Sequence, residues 1–460
     1  MGYQFRFIGI FFGFWLISNQ AVSQETNSRE MEFLQIYEKQ LAASMSVRSL
    51  SQLEIERFIS NAKGSMVSIQ DFAQLLIEQY PSKTAYRMAV LFYFFSQDTL
   101  HRYFITPGRV IESVHIPITQ SAIEKLNADV YASMRLYDLA VNRAPRLRGL
   151  KPDPPPKPVL TLQKALENAA AILMPRAFDE RFQHLIVVPA FSIGAFPFQL
   201  LQPYSDGSML IDKCSITIAP SLMDLVAVRK RIIQKIGSGS LYRMPVEISY
   251  TLENPLFIAN PKYPSDGQYV YPDLPGAEKE VAASLPFAKN YKILKGAEAV
   301  KDSVIRYIRG CDLAYFATHG MSAQENPLDN NFLVLSGQDP YLTSRNIVQL
   351  RDSTGRGVQN FPDMVILSAC QTGLGRSMES GITAGLSRSF LIAGANQVIM
   401  SLWSVDDEAT AYLMSRFIYH LRQPHEFSPA EPLRLAELDT RAKWKDPHKW
   451  ASFSVQGVIY

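Results

Sequence analysis

The chain has 460 residues, 47% of them hydrophobic, which is enough for a sizeable core in two or three domains. Its 46 Lys and Arg residues nearly balance 43 Asp and Glu, for a net charge of +3. No basic tract is interleaved with aromatics, which argues against a nucleic-acid partner.

Residues 1–23 read as a signal peptide. Arg6 precedes an apolar run from Phe7 to Ile17, and a polar break leads to the small-x-small triplet Ala21-Val22-Ser23. The run is short for a membrane-spanning helix. The expectation is therefore an exported chain, periplasmic or extracellular, with no membrane span after cleavage. An uncleaved anchor is the alternative. N-terminal sequencing should find the mature chain starting near Gln24; a retained Met1 or apolar run would overturn this.

Residues 24–84 are polar, with apolar spacings of three and four in "MEFLQIYEKQLAASM" and "SIQDFAQLLIEQY", and predict a short helical segment. "AVLFYFFSQDTLHRYFITPGRVIESVHIPI" is rich in β-branched and aromatic residues. Gln97-Asp98 and Pro107-Gly108 break it, so it predicts a three-strand meander. A helix follows over about 119–140, and "RGLKPDPPPKP" is a stiff extended connection.

Beyond it, helix and strand patterns alternate. The runs "HLIVVPA", "CSITIAPS", "PLFIANP", "YKILKG", "DLAYFATHG", "NFLVLSG", "DMVILSAC", "NQVIMSLWSV" and "FSVQGVIY" predict strands. Residues 276–286, 298–309, 382–394 and 406–421 predict helices. Unbroken apolar strands separated by amphipathic helices define an α/β fold around a mostly parallel sheet covered on both faces. The break at "GSGSLYRMPVEISYTLENP" divides it into one α/β unit over 85–250 and another over 251–460.

In such sheets function collects at the carboxyl ends of the strands. "LAYFATHG" ends in His319-Gly320 and "VILSACQTGLG" delivers Cys370 to a turn of small residues. If these strands are adjacent and parallel, their ends lie roughly 5 Å apart and an imidazole reaches a thiol. The imidazole then raises the thiolate fraction or takes the proton. Gly320 and the small turn at Cys370 let backbone N–H groups approach a developing oxyanion. Either residue alone would read as core thiol or polar trim; the pair, with its glycine, favours chemistry. Thr318 and Ser368 flank the pair and are expected on the opposite face of their strands. Cys311 starts the strand that His319 ends, far from that His, and Cys214 begins a different strand; both read as core thiols. Three cysteines form no disulfide framework. The seven histidines show no metal-ligand spacing, so neither metal nor cofactor is expected.

The blocks "LIVVPAFSIGAFPFQLL", "SITIAPSL", "LPGAEKEVAASL", "LAYFATHG", "MVILSACQTGLG", "GLSRSFLIAGANQVIMSLWSVDDEATAYLMSRFIYHL" and "DPHKWASFSVQG", in that order, resemble the CHAT domain, a caspase- and separase-like group of cysteine peptidases. The resemblance covers roughly 85–460. It implies a caspase-like catalytic half preceded by a pseudo-protease α/β half, with His319 as general base and Cys370 as nucleophile. The implied function is cysteine endopeptidase action on a protein or peptide substrate. The competing reading is a catalytically silent CHAT module that binds peptides or partners as a scaffold. A regulatory protein partner is left open.

"SLWSVDDEAT" opens a helix with acids. Asp406 suits the N-cap, and Asp407 and Glu408 suit the positive end of the helix dipole. The sharper expectation is a specificity pocket in which Asp406 contacts an Arg side chain, with Asp407 behind it and Trp403 as an apolar wall. Separase-like relatives prefer a basic residue before the cut, so cleavage after Arg, with Lys second, is expected.

Overall fold

The computed structural model describes residues 31–43, 52–64, 66–80, 82–135, 146–147, 158–236, 248–265, 269–323, 326–351, 361–368, 385–403 and 406–458. The signal peptide expected over 1–23 and Cys370, the expected nucleophile, lie outside the described residues.

Eleven strands among the described residues form one sheet. They are β1 (Met88–Ser96), β2 (Thr99–Thr106), β3 (Arg109–Pro117), β4 (His184–Val188), β5 (Ser215–Ile218), β6 (Leu256–Pro261), β7 (Lys292–Gly296), β8 (Leu313–Ala317), β9 (Met364–Ser368), β10 (Gln397–Ser401) and β11 (Phe453–Gly457). Their spatial order is β3-β2-β1-β4-β5-β11-β10-β9-β8-β6-β7. β1 to β3 make the expected antiparallel meander. β1, β4, β5 and β11 then run parallel. So do β10, β9, β8, β6 and β7.

The two parallel blocks meet antiparallel at β10 and β11. Their carboxyl ends therefore lie at opposite edges of one continuous sheet. At this seam Gly457 has φ +116°, and a Cβ there would sit 2.3 Å from the Asn396 carbonyl oxygen. Only glycine lets the last strand approach so closely.

The helices that cover the sheet are α1 (31–43), α2 (Gln52–Lys63), α3 (Ile69–Gln79), α4 (Gln120–Ser133), α5 (Leu162–Leu173), α6 (Leu222–Ile236), α7 (Pro275–Ser284), α8 (Lys301–Ile308), α9 (Leu386–Ala393), α10 (Asp407–Leu421) and α11 (Ala430–Lys443). α5, α6 and α11 are additions to the expected helices. The run "NFLVLSG" does form a strand, Phe332–Val334, but in a separate small sheet with Gly320–Met321 and Tyr341–Thr343.

Strand alternation sorts the core. In β8 every residue is buried. Leu313, Tyr315 and Ala317 face one core with Val281 of α7 and Leu413 of α10, while Ala314 and Phe316 face another with Val304 of α8 and Phe390 of α9. The N-terminal helices dock on the first of these cores. Tyr37 of α1 is fully buried, lies edge-on to Phe92 at 4.9 Å, and accepts a hydrogen bond from the Leu222 N–H at 3.1 Å.

Candidate active site

β8 and β9 are adjacent and parallel, with Ala317 opposite Ser368, so the two strand ends stop level. His319 follows two residues after β8, and Cys370 two residues after β9.

The backbone at His319 is held by the small sheet. The Val334 N–H donates to the His319 carbonyl at 2.9 Å, and Gly320 pairs with Leu333. Thr318 turns away, as expected, and its hydroxyl donates to the Val334 carbonyl at 2.6 Å.

The imidazole itself is fully buried. Tyr263 packs on it at 4.7 Å and Tyr271 at 5.7 Å between ring centres. Nε2 lies 2.7 Å from the Pro272 carbonyl oxygen. A carbonyl only accepts, so Nε2 carries the hydrogen and Nδ1 bears the lone pair. Nδ1 has no hydrogen-bond partner among the described residues. Burial lowers the pKa of His319 below the ordinary imidazole value, against the opposing pull of the Pro272 carbonyl and the Asp273 charge. The group is thus a neutral imidazole whose Nδ1 lone pair has no partner among the described residues.

Ser368 corrects one expectation. It shares the parity of Met364 and Ile366, so it lies on the face of Tyr315 and not opposite the pair. There it meets Glu280 of α7, a carboxyl only 5% exposed. The Tyr315 hydroxyl donates to Glu280 Oε1. Burial pushes the Glu280 pKa up to about 7; the nearby hydroxyls of Ser368 and Tyr315 oppose the rise and the nearby Asp407 charge adds to it. Sequence reasoning missed Glu280. The signal was present: Ala277, Glu280, Val281 and Ser284 make one buried helical stripe, and a glutamate is out of place in it.

Of the expected specificity residues, Asp406 is the N-cap of α10, and its Oδ1 accepts from the Glu408 and Ala409 N–H groups at 3.1 Å each. Asp407 is half-buried and lies against the start of α7. A Cβ on Gly276 would fall 2.1 Å from Asp407 Cγ, so the glycine of "LPGAEKE" is what admits this carboxylate. Trp403 is 4% exposed. It stands edge-on to Tyr131 at 5.6 Å and donates its indole N–H to the His448 carbonyl at 2.9 Å. It packs in the core of the first unit and presents no open wall.

Cys214 and Cys311 are free, buried thiols. Burial pushes Cys311 up to about 12 and Cys214 higher still, so both stay protonated and unreactive. Among the described residues no group of three or more His, Cys, Asp or Glu could hold a metal ion, and no helix is long and apolar enough to cross a membrane.

Two parallel strands ending level beside an oriented imidazole, on a sheet sandwiched by helices, define a caspase-like peptidase fold. The sequence matches the CHAT domain over residues 162–458, and the chain belongs to that family. The match begins after the meander, later than the resemblance read from the sequence. The chain is similar to tetratricopeptide repeat protein 28 of Homo sapiens, 26% identical over 308 residues, and to that of Mus musculus, 24% identical over 309. Each match covers 60% of this chain but only 12% of the relative. Among solved structures it is similar to Saccharomyces cerevisiae separase in complex with securin, with TM-score 0.50 and 13% identity over 89% of this chain and 32% of that one. At that identity the likeness is one of fold.

Proposed function

We propose that the chain is a cysteine endopeptidase in which His319 is the general base and Cys370 the nucleophile, cutting protein substrates after a basic residue. The observation that carries this reading is the Pro272 carbonyl, which fixes the His319 tautomer and leaves Nδ1 open. In this mechanism Nδ1 takes the Cys370 proton and the thiolate attacks the scissile carbonyl. The oxyanion is met by the backbone N–H groups of Gly320 and Cys370. The imidazolium then protonates the leaving amine as the C–N bond breaks, and water hydrolyses the thioester. For the basic side chain we place Asp407 ahead of Asp406, because Asp407 lies against Gly276 at the start of α7, near Glu280.

One observation favours the silent-scaffold reading: His319 is fully covered by its aromatic neighbours in this conformation. An electrophilic peptide ending in Arg discriminates the two. The peptidase reading expects covalent labelling at Cys370 that is lost in His319→Ala. Absence of selective labelling at Cys370 would favour the scaffold.

A further inference from the structure

We infer that Tyr269–Val270 is a docking edge for an extended peptide, and that the chain's own Arg146–Leu147, from the connection between α4 and α5, fills it as an added strand that keeps the cover over His319 shut. The inference rests on the peptidase reading for its consequence, because the residue covered is the proposed general base.

The path from the added strand to the imidazole is short. Arg146 pairs antiparallel with Val270 and Leu147 with Tyr269, in a two-stranded sheet apart from the main one. Tyr271 comes next in the chain, and its ring packs on His319 at 5.7 Å. Pro272 follows, and its carbonyl accepts from His319 Nε2. Tyr269 lies 6.1 Å from Tyr271 and 6.4 Å from Phe332 between ring centres, so the cover is one aromatic layer.

The two sides of this cover are fastened unequally. Toward α7, Asn260 in β6 donates to Asp273 at 3.0 Å and accepts from the Leu274 N–H at 3.1 Å. On the other side the backbone is paired with Arg146–Leu147 over two residues, and a ladder that short is marginal by itself. The cover therefore opens first at Tyr269–Tyr271, while Pro272, anchored beyond, still fixes the His319 tautomer.

The sequence of the strap suits an occupant of a peptide site. Residues 143–151 hold four cations, Arg143, Arg146, Arg148 and Lys151, and no acid. Pro145 and the prolines of "PDPPPKP" favour extended backbone, the conformation that strand addition requires. A site that selects a basic residue accepts such a segment. A substrate peptide adding at the same edge must displace a competitor tethered in the same chain, whose effective concentration is of millimolar order. The covered His319 then marks a shut site.

The test is the double variant Arg146→Pro/Leu147→Pro in the full chain, which removes both backbone N–H groups of the strap. Carbethoxylation of His319 by diethylpyrocarbonate, followed by mass spectrometry, should run about tenfold faster than in wild type, the scale of losing one backbone hydrogen bond. Hydrolysis of an Arg peptide should rise by a similar factor. The free peptide "APRLRGL" at millimolar concentration should restore protection to the variant. Equal carbethoxylation rates in folded wild type and variant would overturn the inference, and so would a faster rate that the peptide leaves unchanged. If the double variant does not fold, residues 144–150 replaced by glycine and serine at the same length are read by the same criteria. A variant whose His319 is uncovered, and protected again by the peptide, but that cuts no substrate would sink the peptidase reading alone.

Discussion

Cys370→Ala is expected to abolish peptide cleavage, by at least about ten-thousandfold in kcat, the scale of losses when a covalent nucleophile is removed. The fold should be retained, because alanine is smaller than cysteine and suits a segment of small residues. His319→Ala should act in the same direction but less, by roughly a hundred- to a thousandfold, since a thiol ionises partly without its base. The pH profile adds a second check. Burial holds the His319 pKa below the ordinary imidazole value, so the base is neutral at pH 7 and is lost only as pH falls through that lowered pKa. Activity measured from pH 4 to 9, beside circular dichroism of each variant, reads both effects. Cleavage that persists in folded Cys370→Ala would remove this site from the reaction.

The fold was legible where local signals and tertiary demands agreed. The meander announced itself through two turn pairs between aromatic runs, and β8 and β9 through apolar runs that stop at polar residues. What the sequence left out depends on long-range pairing. Trp403 follows β10, so it reads as part of the catalytic cleft. The antiparallel seam with β11 instead brings the core of the first unit against that strand end, and the indole packs on Tyr131. Periodicity does not say which strand sits beside which. The same limit sent "NFLVLSG" to the small sheet, where Val334 secures the His319 backbone. α11 was hidden for another reason: "AEPLRLAELDTRAK" carries Pro432, which reads as a breaker but is harmless in the first turn. At the candidate site His319 was legible as a residue type at a strand end. Its tautomer was not, because that depends on the carbonyl of Pro272, 47 residues away in sequence. Ser368 was assigned to the wrong face although its parity with Ile366 was available from the sequence alone.

Asp407→Asn is expected to lower kcat/KM for cleavage after Arg by roughly a hundredfold, the scale of removing one charge from a desolvated Arg–carboxylate pair. Cleavage after Lys should fall less, since an ammonium makes no bidentate pair. Asp406→Asn is the internal control. Asparagine caps a helix as well as aspartate does, so this change removes a charge at the start of α10 while keeping the hydrogen bonds to Glu408 and Ala409. It should leave the Arg preference nearly intact. The difference between the two follows from where the carboxylates lie. Asp406 is held by backbone donors that already satisfy it. Asp407 rests on Gly276, close enough to Glu280 to raise its pKa, so two carboxyls share a poorly solvated space in which a guanidinium would relieve their repulsion. A peptide-library profile of wild type, Asp406→Asn and Asp407→Asn reads the outcome directly. Cleavage after Asp, or an Arg preference that survives both substitutions, would overturn the assignment of this acidic pair to the specificity pocket.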